Sequence, residues 1–71
     1  MNDRLVASTI IDALDRSGAL EKEELYKSVQ KLHSDLDHPF FEETLMDLEI
    51  QGLLRVSVMS KDRCRVELAK G

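Results

Sequence analysis

Apolar side chains recur at two different periods along this chain, and the change falls near Leu54. Over residues 3–16, Val6, Ala7, Ile10, Ile11 and Leu14 share one face at helical spacing, while Leu5 points away from it. Asn2 or Asp3 can cap this first helix, and Ser17–Gly18 break it. Ala19–Leu20 then form a short extended connector. Residues 22–33 predict a second helix, with Leu25, Val29 and Leu32 as its i, i+4, i+7 stripe and Tyr26 on its flank. Glu23 and Glu24 in the first turn and Lys31 in the last complement the helix dipole.

The link Ser34–His38 is polar apart from Leu36, which is expected to plug the corner between the second and third helices. The third helix, residues 38–51, organises the chain. Asp37 or His38 suits its cap, Pro39 its first turn, and Gly52 its end, because glycine readily takes the left-handed conformation that closes a last turn. Phe41, Leu45 and Leu48 fall on its inner stripe.

From Leu54 the period drops to two. Residues 54–68 predict a β-hairpin around the turn Ser60-Lys61-Asp62. Val56, Val58, Cys64, Val66 and Leu68 face inward; Arg55, Ser57, Arg63, Arg65 and Glu67 face outward. An isolated two-stranded hairpin is weak in water, so this one must pack on the helices. Residues 19–20 could add a short third strand at its edge. The expected class is α+β, mainly α, as a single domain of three helices and a C-terminal hairpin.

Composition narrows the picture modestly. The 71 residues are 42% apolar and 34% charged, an ordinary globular mix. With no Trp, one Tyr and two Phe, the core must be mostly aliphatic. Net charge is −4, but residues 1–54 carry −7 and residues 55–71 carry +3, so an anion-binding surface belongs at the C-terminal end. Cys64 is the only cysteine, which rules out an intrachain disulfide and fits a reducing, cytoplasmic compartment. The first residues, MNDRLVASTIIDAL, read as neither a signal peptide nor a membrane span.

The run Leu45-x-x-Leu48-Glu49-x-x-Gly52-Leu53-Leu54-Arg55-Val56, followed by the hairpin through Leu68, resembles the "L-x-x-L-E-x-x-G-L-I" segment of small prokaryotic winged helix-turn-helix regulators. Glu24-Leu25, Leu32 and Leu36 are similar to that family's second helix and turn, and the resemblance spans roughly Asp3 to Ala69. It implies a DNA-binding module, a transcriptional regulator that works as a homodimer on duplex DNA. Its third helix would enter the major groove, and its hairpin, the wing, would touch the backbone. Outward positions of helix three would then be Phe40, Glu43, Thr44, Asp47, Ile50 and Gln51, with Met46 at the margin. Thr44 and Gln51 would read bases, and Arg55, Lys61, Arg63 and Arg65 would meet phosphates.

The chemistry of that helix departs from the pattern. Base edges call for Arg, Lys, Asn or Gln, whereas Glu43 and Asp47 stand here with Glu42 and Glu49 nearby. Phe40, Met46 and Ile50 add apolar surface on the same side. An apolar patch rimmed by acids suits a protein contact, so docking through Phe40, Glu43, Met46, Asp47 and Ile50 is the alternative function. Both readings stand beside a plainer one, in which these are scattered surface residues and the hairpin cations block edge pairing.

Other chemistry finds little footing. His33, Asp35, Asp37 and His38 are metal-ligand types, but their spacing matches no defended motif, and turn and cap roles account for the aspartates. Cys64 reads as a small inward residue. No catalytic constellation or phosphate-cradling glycine loop is visible, so neither an enzyme nor a cofactor is expected.

Overall fold

The computed structural model describes residues 3–69. Helix α1 spans Asp3–Ser17, strand β1 Ala19–Glu21, helix α2 Lys22–Leu32, helix α3 His38–Ile50, strand β2 Leu54–Ser60 and strand β3 Arg63–Leu68. Each predicted element is present, with helix ends displaced by one residue, as fraying terminal turns allow. Among the described residues no helix is long and apolar enough to cross a membrane.

The helices end where their glycines fall. Gly18 sits at φ 85° and donates its N–H to Leu14 O at 2.8 Å, which stops α1 and turns the chain into β1. Gly52, at φ 80°, donates to Glu49 O, while Leu53 N–H reaches back to Leu48 O, both at 2.9 Å. This paired closure satisfies carbonyls of the last turn and launches the chain into β2. At the other end of α3, Asp37 is the cap: its Oδ1 accepts the Phe40 N–H at 2.9 Å.

The sheet is antiparallel, ordered β1-β3-β2, so the 19–20 connector does become a third strand on the edge of the hairpin. Val66 pairs with Val56 on one side and Leu20 on the other, stacking one apolar row across all three strands. The sheet's inner face meets the helices in one core. Val6, Ile10 and Leu14 of α1 join Leu25, Tyr26 and Val29 of α2, Phe41, Leu45 and Leu48 of α3, and Leu54 and Val66 of the strands. Leu36 plugs the helical corner as expected, only 2% exposed.

Two expected core positions are outside it. Leu32 is 69% exposed, and Tyr26 is buried instead. The buried face of α2 is turned towards Tyr26 because that ring makes an edge contact with Phe41, with centroids 5.1 Å apart. Its hydroxyl donates to Leu36 O at 3.1 Å, and Gln30 Nε2 donates to both oxygens, so the buried phenol is fully partnered. Val58, paired with Cys64, is 77% exposed although alternation puts it on the inner face. Burial fades along β2 from Leu54 through Val56 to Val58, because the hairpin tip runs past the helical layer. A bulge between Val58 and Ser60 leaves Met59 as the extra residue there.

Candidate interaction face of helix α3 and the hairpin

Helix α3 is held by its buried stripe of Phe41, Thr44, Leu45 and Leu48. The opposite side therefore meets solvent. Met46 and Ile50, one turn apart, are 58% and 77% exposed, and Glu42, Glu43, Asp47 and Glu49 surround them, all exposed. The helix holds no Lys or Arg. Lys22, at the start of α2, reaches across to Glu42 at 2.7 Å. Hydrogen bonding to Glu42 raises the Lys22 pKa above its ordinary value, against a smaller opposing effect of burial.

Thr44 does not face outward. It is 7% exposed, and its Oγ1 donates to Phe40 O at 2.9 Å, so it cannot read a base. Phe40 is half-buried against the core rather than part of an outer ridge. The reason lies in helical spacing: Thr44 stands three residues after Phe41 and four before Leu48, so it shares the buried face of α3. Glu43, Met46, Asp47, Ile50 and Gln51 are exposed as expected.

The hairpin cations separate into two groups. Arg63 is committed: its guanidinium grips Glu21 through Nε–Oε1 at 2.9 Å and Nη2–Oε2 at 2.8 Å, across the β1–β3 edge. This bond lowers the Glu21 pKa and raises that of Arg63. It also explains why Glu21, the residue preceding α2, makes no side-chain cap there. Arg55, Lys61 and Arg65 are exposed and form no ion pair among the described residues. Arg55 and Arg65 line a cleft of about 600 Å³ with Asp15, Gly18 and Ala19 at the end of α1, to which α3 contributes no residue. Lys61 lies in the hairpin turn.

A lowered Glu21 pKa means that the pair stabilises the fold above the ordinary glutamate value of 4.5, and that this contribution is lost as pH falls through the lowered one. Replacing Arg63 by Ala is expected to return the Glu21 carboxyl to its ordinary titration midpoint, followed by NMR. An unchanged midpoint would show that the pair does not form in solution.

Comparisons with protein families, curated proteins and solved structures gave no match for this chain. Its chemistry must be read from its own residues.

The His33–His38 segment is dispersed. His33 Nε2 meets Thr9 Oγ1 at 2.9 Å, Asp37 caps α3, and His38 stacks on Tyr26 with centroids 3.9 Å apart. Among the described residues no three His, Cys, Asp or Glu side chains cluster to hold a metal ion. Cys64 is half-buried and free.

The sequence reading passes over one feature. Between α1 and α3 runs a groove of about 770 Å³ whose apolar lining includes Ala7, Ile11, Leu48 and Leu53. Ala7 and Ile11 belong to the inward face of α1 by periodicity, yet packing leaves them half-covered. The available signal was the pair Asp12 and Asp15 bordering that apolar face at helical spacing.

Proposed function

We propose that this chain is a winged-helix module that binds another protein through the exposed side of α3. The observation that carries this reading is the makeup of that side: Met46 and Ile50 bare, four carboxylates around them, and no cation in the helix. Such a surface repels a phosphate backbone. It suits a partner offering apolar side chains within a basic rim. The burial of Thr44 and the Arg63–Glu21 bond further reduce what is left for DNA. Docking of this kind includes two-fold pairing of the chain with itself. A reducing cytoplasm is the compartment this reading assumes, in keeping with a single cysteine that has no intrachain partner.

A second reading, a DNA-binding transcriptional regulator, draws on Arg55, Lys61 and Arg65, which form no ion pair among the described residues. An amide-shift titration of the labelled protein with a mixed-sequence duplex at low salt separates the two. Protein docking predicts no shifts over Glu43–Gln51. Shifts over both Glu43–Gln51 and Ser60–Arg65 that shrink as salt is raised would replace it with DNA binding. Shifts confined to the hairpin would mark non-specific phosphate contact and leave α3 to a protein.

A further inference from the structure

We infer that the groove between α1 and α3 seats a cationic amphipathic helix of a partner protein. The inference rests on the reading of this chain as a protein-docking module and adds a seat that flanks the bare side of α3, sharing Asp47 with it, together with the chemistry of its occupant. Three properties of the groove carry it.

Its apolar lining comes from Ala7 and Ile11 of α1 and Leu53 just past α3, with a small contribution from the almost wholly buried Leu48. The pair of backbone hydrogen bonds that closes α3 around Gly52 ties Leu53 N–H to Leu48 O. The α1 wall runs from Arg4 to Asp15, about 16 Å at 1.5 Å per residue, or three turns of helix. That length matches a helix laid in a groove through side chains at i, i+3 or i+4, and i+7.

The rim is acidic on both walls. Asp12 and Asp15 stand on α1 and Asp47 on α3. Asp12 is shared with Arg16 at 2.9 Å, whereas Asp15 and Asp47 form no ion pair among the described residues, although Asp15 also borders the cleft of Arg55 and Arg65. Among the described residues Arg4 is the one cation lining the groove, at the opposite end of the α1 wall from Asp15. An occupant that buries an apolar stripe on the floor and carries Lys or Arg on both flanks near Asp12, Asp15 and Asp47 matches this distribution. A second copy fits poorly, because none of the three helices pairs an apolar stripe with cations on both flanks: α1 and α2 mix acids with bases, and α3 has no base.

The test uses the full, isotope-labelled chain and a synthetic peptide of about four helical turns, with leucines at i, i+3 or i+4 and i+7 and lysines flanking them. The same peptide with glutamates in place of lysines is its control. The lysine peptide is expected to shift the amides of Ile11, Leu48 and Leu53, and the glutamate peptide is not. The double variant Asp12→Lys/Asp47→Lys is expected to weaken binding by about tenfold or more. Glu24→Lys/Asp35→Lys, which changes net charge equally at exposed positions outside both the groove and the bare side of α3, is expected to leave it unchanged. The milder Asp12→Asn/Asp47→Asn should lose affinity in the same direction while leaving the fold undisturbed. Equal losses in both lysine variants would reduce the effect to unspecific charge attraction and overturn the inference. Shifts confined to Met46 and Ile50, with loss in a separate Glu43→Lys variant and none in Asp12→Lys/Asp47→Lys, would overturn the groove as the seat and leave docking on α3 standing. Absence of binding by the lysine peptide would also overturn the inference, while the duplex titration decides the α3 reading separately.

Discussion

Replacing Phe41 by Ala is expected to remove about 3–5 kcal/mol of folding stability. Phe41 is fully buried and is the largest such side chain of the core. It stands edge-on to Tyr26, in the cluster that joins α1, α2, α3 and two strands. Its loss would leave a cavity that the surrounding backbone cannot close, because three helices and the sheet converge there. At roughly 0.05–0.15 kcal/mol per residue, a chain of 71 residues has only about 4–11 kcal/mol in hand. The variant should therefore lose a large share of its stability, and all of it at the low end of that range. Urea denaturation followed by circular dichroism measures this directly, and a loss below about 1 kcal/mol would contradict the placement of Phe41 at the centre of the core.

Replacing Thr44 by Asp is expected to cost roughly 3 kcal/mol at neutral pH. The two side chains are close in size, so the cost is electrostatic. A carboxylate at this position would be buried, would lose the donor bond to Phe40 O, and would lie against that carbonyl instead. Burial without a cation raises the carboxyl pKa of the folded state above its unfolded value. The penalty is then complete above the raised pKa and shrinks as pH falls through it. Thr44→Val, which removes the hydroxyl without adding charge, should stay within about 1 kcal/mol of the parent. Glu43→Gln, on the exposed neighbour, should stay within about 0.5 kcal/mol. Thermal or chemical melts of the three variants across pH provide the comparison. A harmless Thr44→Asp would return this residue to the outer face, and with it part of the case for base reading.

Local pattern carried most of the fold. Gly18, Asp37, Pro39 and Gly52 mark helix ends that depend only on nearby backbone, and each does so in the structure. The switch from helical to twofold spacing at Leu54 separates the helices from the hairpin because side-chain periodicity is a property of the local backbone. Even the β1 edge strand could be anticipated, since a bare hairpin needs further support.

The interaction surfaces were less legible. Periodicity says which way a side chain points from its own element, not how far a neighbour extends over it. Val58 points inward by alternation yet lies beyond the reach of the core, Leu32 yields its place on the buried face of α2 to Tyr26, and Thr44, outward in the sequence pattern, is closed over by packing. Arg63 could be recognised as a basic, outward residue. That Glu21 neutralises it depended on β1 and β3 becoming neighbours, 42 positions apart in the chain.

The sequence by itself determined the three helices, the hairpin, the aliphatic core and the acidic character of α3, because each follows from residue type and spacing within a single element. The tertiary structure alone decided which cations remain uncommitted, which side of α3 is bare, and that half-covered residues of α1 meet the end of α3 in an acid-rimmed groove. Those outcomes depend on the relative placement of elements distant in sequence, and no local pattern encodes that placement.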